Sequence, residues 1–312
     1  MSARIVALIL GSVALIAISP WLGPTPSPEA HRFVIEQLRI PRVLVGVEVG
    51  ACLGVVGAAF QSLFGNPLAT PSTTGTTAGA ALGALVALVL LPASLTAATP
   101  ALALFAFVGA LAVALPVAAL AASGRARVED VLLAGVAATL AASALTTGLQ
   151  VQADLAATYR AVRWSLGSLS QVGYDGVSLL LPLAGGASAI VLGRTRALQA
   201  MLAGEARAFS QGVDVRWVRM EILIAGALGV AAVVAWCGPI AFVGLVVPHL
   251  VRRSLGASRR VLLPMSGVVG AAYLVGCDTA ARLLWPGREL PVGVLTAALG
   301  APLLIVLVLR RR

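Results

Sequence analysis

The chain contains no lysine at all, and its 312 residues include only 12 acids, two histidines and three cysteines. Each shortage removes a chemistry. A phosphate-binding loop of the GxxxxGK[ST] type needs its lysine, and a Schiff base to retinal or pyridoxal needs an amine, so neither is available here. His31 and His249 stand far apart, and Cys52, Cys237 and Cys277 follow no zinc or haem-attachment spacing, so no metal and no other cofactor is expected. The cysteines lie in apolar runs and read as small buried hydrophobes. Paired carboxylates and a Ser-His-Asp set are also missing, so an enzyme would lack its parts. Charge is scarce as well: 11% of the residues are charged and 59% are apolar, at a mean hydropathy of +0.99. Soluble chains carry about 25% charge, so this one has too little polar surface to cover a folded body in water. Its solvent is a bilayer.

Apolar runs, cut at Pro, Gly and Arg clusters, fall at about 4–19, 41–64, 72–91, 99–121, 129–151, 176–193, 218–237, 240–251, 261–284 and 291–309. Ten spans of about 20 residues use roughly 200 residues, leaving short loops and no soluble domain. The expectation is an all-α membrane protein of about ten transmembrane helices, a single transmembrane domain over residues 1–312. The N-terminal run after Arg4 has no convincing small-x-small cleavage site and reads as a retained first helix. All 22 basic residues are arginine, and with ten alternating spans fifteen of them share one side while seven share the other. The richer side, which holds both termini, is then cytoplasmic. The run 240–251 is the weak member, because twelve helical residues rise only about 18 Å against a hydrocarbon core of about 30 Å. The arginine asymmetry nevertheless requires it to cross, so it reads as a short helix with irregular ends shielded inside the bundle, entered at Gly238 and Pro239.

Small residues such as Gly50, Gly54 and Gly57 recur at spacings of four and three, on one face that a neighbouring helix can approach closely. Outside the spans, residues 153–169 place Leu155, Tyr159, Val162 and Leu166 at helical spacing, which suits an external amphipathic segment lying along the membrane. Residues 194–219 form the longest inner loop, with Glu205 and Asp214 among five arginines. Arg39 and Arg42 flank Pro41, which is expected to break the helix and present both to the external aqueous face. Glu48 is the one acid deep in a predicted span and reads either as a functional ionisable group or as a carboxyl buried between helices. Asp278 and Arg282, four apart, read as a helical ion pair. Gln150 and Gln152 end the fifth helix and either line a polar path or meet the headgroups. Residue physics stops at a ten-helix, transport-like protein with a basic cytoplasmic side and a long inner loop.

Ordered motifs carry the reading further. They are Arg39-Ile40-Pro41-Arg42; Gln61 with Gly65-Asn66-Pro67-Leu68-Ala69 and Pro71; Leu132-Leu133-Ala134-Gly135-Val136; and Trp164-Ser165-Leu166-Gly167-Ser168. Gly204-Glu205 with Ala208 and Gly212-Val213, Phe242 through His249, Asp278 with Arg282, Glu289-Leu290-Pro291-Val292-Gly293 and Gly300-Ala301-Pro302 follow in order. From Arg39 onward the chain resembles the FecCD-type permeases, membrane subunits of ATP-binding-cassette (ABC) importers for iron chelates, haem and cobalamin. The resemblance implies a type II importer permease bundle that works as a homodimer in the bacterial inner membrane. It implies two ATPase subunits beneath, which carry the ATP site, and a periplasmic or lipoprotein substrate-binding protein above.

In that frame Arg39, Arg42 and Arg282 match the rim arginines that receive glutamates of the binding protein, with Asp278 holding Arg282. Gly204, Glu205, Ala208, Gly212 and Val213 match the segment, about 197–217, that couples to the ATPase. The path would follow the dimer axis, gated by the fifth helix and its inner loop. There Val128 and Glu129 replace the small hydroxyl residues usual in relatives, and Glu48 occupies a normally apolar place. With Gln150 these are the candidate path residues. An iron chelate, ferric siderophore or haem, is the expected cargo, with cobalamin as the alternative. An ion-coupled carrier centred on Glu48 is the rival of another class.

Overall fold

The computed structural model describes residues 3–23, 28–92, 99–123, 126, 128–170, 172–284 and 289–309. Among them there is helix and connecting loop but no strand. The helices are α1 (Ala3–Ile18), α2 (Pro28–Phe33), α3 (Ile40–Leu63), α4 (Thr76–Leu90), α5 (Thr99–Ala122), α6 (Val128–Gln152), α7 (Leu155–Ser165) and α8 (Gly173–Leu180). They continue as α9 (Gly186–Gly193), α10 (Thr195–Met201), α11 (Glu205–Ser210), α12 (Val215–Cys237), α13 (Val243–Leu255), α14 (Arg259–Leu283) and α15 (Val292–Leu309). Seven described helical stretches are long and apolar enough to cross a membrane, and α8 and α9 form one of these, Gly173–Gly193. With the shorter apolar helices α4 and α15, and with α13, they make up the expected bundle of ten.

Three rods form its centre. Most of α3, α12 and α14 is buried, whereas α1 and α6 lie at the periphery. Lipid is as apolar as leucine, so burial of this kind depends on close packing between helix backbones. The glycine face of α3 supplies it. A Cβ added at Gly50 would strike the Gly270 carbonyl of α14, one at Gly54 the Ser266 carbonyl, and one at Gly57 the Gly244 carbonyl of α13. The same device joins α4 to α5, where Gly79 and Gly109 each lie against the other's carbonyl.

One local expectation changes. Pro41 does not break the helix: Ala30–Leu63 is one helical stretch, and Pro41 is buried in the first turn of α3. The preceding residues Val34–Arg39 are wound more widely, and the Ile40 N–H bonds the Ile35 carbonyl five residues back. That turn makes room for the proline ring and absorbs its missing donor. The short run expected at 240–251 is α13, whose 13 residues rise about 20 Å and do not cross unaided. Residues 238–242 bring the chain back from the end of α12, adding at most about 18 Å. The non-helical stretch is partly buried against its neighbours and lines a cavity, where bare backbone is tolerated within a membrane. Ser168 N–H bonds the Cys237 carbonyl at 2.7 Å, and a Cβ at Gly167 would strike the Pro239 carbonyl. Phe242 takes a positive φ of 67° to start α13, and its side chain fills the space left by Gly300.

Candidate functional site

The chain gathers its polar chemistry at the two ends of α14, whose 25 residues separate them by about 37 Å. At the end formed by the start of α3 and the close of α14, Arg39, Arg42 and Arg282 come together. Arg42 sends Nε to both Asp278 carboxylate oxygens at 2.9 Å, Nη2 to Oδ1 at 2.8 Å, and Nη1 to Glu289 Oε2 at 2.7 Å. Arg282 Nε lies 3.4 Å from Asp278 Oδ2, and its Nη2 reaches the Ser19 carbonyl and hydroxyl and the Thr279 hydroxyl. Arg39 Nη1 bonds the Pro20 carbonyl at 3.2 Å.

Arg39 and Arg42 are therefore not presented to water as their place beside Pro41 led one to expect: each is 8% exposed. The continuous helix turns them inward, where Asp278 supplies the counter-charge a buried guanidinium requires. Glu289, whose side chain is 56% exposed, is the outward member of the cluster. Arg288, next to it, lies outside the described residues.

The opposite end holds the loop predicted to couple. It folds into α10 and α11, joined at Gly204 with φ of 102° and closed by Gly212 with φ of 80°, values an L side chain adopts only under strain. Three ties fix this hairpin to the bundle. Arg194 makes a two-pronged pair with Glu221 at 2.5 and 2.9 Å, Arg219 bonds Glu205 at 2.5 Å, and Gln199 Oε1 accepts the Arg259 N–H at the start of α14 at 2.6 Å. The hydrogen bonds and charge of Glu221 hold the Arg194 guanidinium above its ordinary pKa. Asp214 caps α12 by accepting from the Trp217 N–H. Ala208 is buried and anchors α11, with its carbonyl accepting from Val213, while Gly204, Glu205, Gly212 and the aromatic ring of Phe209 face out. The outcome is an exposed knob tied to the bundle, with charged side chains and one outward aromatic ring, Phe209.

The candidate path residues do not converge. Glu48 is half-buried in α3, with Oε2 enclosed and without a hydrogen-bond partner among the described residues. Glu129 is exposed at one end of α6 and Gln150 half-buried near the other, and the Val128 side chain lies outside the described residues. Along α6 the residues Leu133, Val136, Leu140, Leu145 and Val151 point outward. On its inner side Gly135 lets α6 approach the Thr73 carbonyl of the 70–75 turn. Between α3, α12 and that turn lies a cavity of about 260 Å³, lined in part by Leu53, Thr70, Thr77 and Phe242. Drug-sized ligands need about 300–1,000 Å³, so a metal chelate exceeds it.

Three polar residues escaped the sequence reading as site members. Glu289 lies 247 positions from Arg42, a separation at which no local pattern signals the pair. Gln199 is one polar side chain in a polar loop. Gln61 did carry a signal: Pro248 inside α13 lacks the N–H that would bond the Gly244 carbonyl four residues back. Gln61 Nε2 fills that vacancy at 3.2 Å, reaches the Leu245 carbonyl at 3.3 Å, and its Oε1 accepts from Arg252 at 3.0 Å.

A helical bundle with a buried charge cluster at one end and an exposed hairpin at the other is the architecture of a multi-pass membrane protein. Comparison with known proteins narrows the class. The chain is 38% identical to the cobalamin import system permease protein BtuC of Halobacterium salinarum, over 90% of this chain and 74% of the relative. It is 36% identical to the hemin transport system permease protein HmuU of Yersinia pestis, over 99% and 93%. It is also 34% identical to the Fe(3+) dicitrate transport system permease protein FecD of Escherichia coli K12, over 98% of each. Among solved structures, an ABC transporter in an inward-facing conformation superposes with a TM-score of 0.87 at 29% identity, covering 97% of this chain and 99% of that one. Residues 2–310 match the FecCD transport family, and the chain belongs to it. It is a permease of the ABC importer class that serves metal chelates, haem and cobalamin.

Proposed function

We propose that this protein is the inner-membrane permease subunit of an ATP-driven importer for an iron chelate, a ferric siderophore or haem, and that it works as a homodimer with both termini in the cytoplasm. The observation that carries the reading is the tied hairpin α10–α11, an exposed knob rigidly joined to α12 and α14. A separate ATPase receives it, with Phe209 as the apolar anchor and Glu205, Gly204, Ala208, Gly212 and Val213 setting its shape. Two copies face each other across α6, since the cavity between α3, α12 and the 70–75 turn is too small for the cargo. Glu129, Val128 and Gln150 then border the path. At the external end a binding protein docks on the arginine cluster, and its glutamates take the place of Glu289 on Arg42 and engage Arg39 and Arg282. Cobalamin is the second reading, supported by the 38% identity to a cobalamin permease.

Co-purification tests the central part. The chain should retain its ATPase in detergent, and Phe209→Ala should weaken that complex by about 30-fold, the cost of a buried aromatic anchor. Retention unchanged in both Phe209→Ala and Glu205→Arg would refute the assignment of this hairpin. Docking of the binding protein should weaken steeply with salt, and charge reversal at Arg39 and Arg42 should abolish that dependence.

A further inference from the structure

The arginine-rich end of the bundle carries a cleft of about 530 Å³ that the transport reading leaves unused, lined by Leu192, Gly193, Thr195, Arg196, Arg260 and Pro264. It lies where α9 closes and α14 begins. The neighbouring arginines are engaged: Arg194 holds Glu221, Arg259 donates to the Ala257 carbonyl and Arg252 to Gln61. Arg196 and Arg260 are exposed, and neither has a hydrogen-bond or ion-pair partner among the described residues. Two unengaged guanidinium groups on one cleft call for an anion. The walls say which kind.

Leu192 and Gly193 end a membrane span, and Pro264 lies six positions into α14, the span that starts at Arg259. The mouth is therefore at headgroup level and the floor reaches toward the hydrocarbon. Thr195 spends its hydroxyl on the Leu192 carbonyl. Pro264 has no N–H to give the Arg260 carbonyl four residues back, so that carbonyl lacks its helical donor. Basic pockets of this kind between spanning helices bind anionic lipid headgroups. We propose that this cleft holds one anionic phospholipid, its phosphate between Arg196 and Arg260, its headgroup hydroxyl on the Arg260 carbonyl, and one acyl chain against Leu192 and Pro264. Arg196 lies in the first turn of α10, the helix that opens the hairpin proposed to meet the ATPase, so lipid binding and ATPase retention are measured separately.

Native mass spectrometry of the full chain in detergent tests it, with phosphatidylglycerol, phosphatidylcholine of the same acyl chains, and soluble glycerol 3-phosphate as probes. Wild type should bind one phosphatidylglycerol at least tenfold more tightly than phosphatidylcholine and bind glycerol 3-phosphate immeasurably. The Arg196→Gln/Arg260→Gln variant should lose about 30-fold in phosphatidylglycerol affinity, about fivefold per guanidinium. Arg196→Lys/Arg260→Lys should keep most of it, and Arg253→Gln, outside the cleft, should keep all of it. Equal binding of the two lipids by wild type overturns the proposal without recourse to any variant. So does glycerol 3-phosphate binding as tightly as the lipid, which would mark a soluble-anion site. A glutamine variant that keeps its lipid but loses the ATPase would instead make the cleft part of a protein interface.

Discussion

Replacing Asp278 with asparagine would strip the Arg42 guanidinium of its main counter-charge. Arg42 is buried, with its side chain 9% exposed, and three of its four polar contacts go to Asp278, whose own side chain is 3% exposed. Removing one partner of a buried ion pair costs about 3–5 kcal/mol, because the remaining charge stays desolvated and unpaired. Glu289 still holds Nη1, and Arg282 keeps its bonds to Ser19 and Thr279, so the loss belongs at the lower end, about 3 kcal/mol. At about 2–3 °C per kcal/mol for a chain of this size, Tm should fall by about 6–9 °C. The assay is thermal unfolding of the purified chain in detergent, followed by tryptophan fluorescence. The companion variant Asp278→Asn/Arg42→Gln removes the stranded charge as well. It should melt above Asp278→Asn alone, with a coupling energy of at least about 1.5 kcal/mol. Strictly additive Tm losses would refute the reasoning, for they would mean that the two side chains do not sense one another.

Gly54→Ala should cost about 1–3 kcal/mol, since its methyl strikes the Ser266 carbonyl, whereas Gly148→Ala, which meets nothing, should be neutral or slightly stabilising in the same melts. Gln61→Leu orphans the Gly244 carbonyl and should lower stability by about 1–3 kcal/mol. Adding Pro248→Ala restores a backbone donor to that carbonyl, so the double variant should recover part of the loss; no recovery would show that Gln61 acts elsewhere. Glu205→Arg puts a like charge against Arg219 and should abolish ATPase retention while membrane insertion, measured by fractionation, stays normal.

The spans, the small-residue face of α3 and the amphipathic residues of α7 were all legible in the sequence. Each is written in residues within one or two helical turns of each other. Leu155, Tyr159 and Val162, for example, stand exposed on one helix at the spacing their pattern implied. Burial of Arg39 and Arg42 was not legible. It depends on a wide turn at Val34–Arg39 that lets Pro41 continue the helix, and on Asp278, 236 residues away from Arg42. Pro248 announced an unbonded carbonyl, but nothing local named Gln61 as the side chain that satisfies it. The hairpin's position was readable from Gly204 and Gly212. Its stiffness was not, because Arg219 and Arg259 come from other helices.

Uptake into proteoliposomes tests the central claim most directly. Vesicles would contain this chain with its ATPase, and labelled haem, a ferric siderophore or cobalamin would be offered with the binding protein present. Uptake of an iron chelate is expected, requiring ATP and the ATPase and lost in Glu205→Arg. Uptake by this chain alone, driven by an ion gradient and abolished by Glu48→Gln, would contradict the claim.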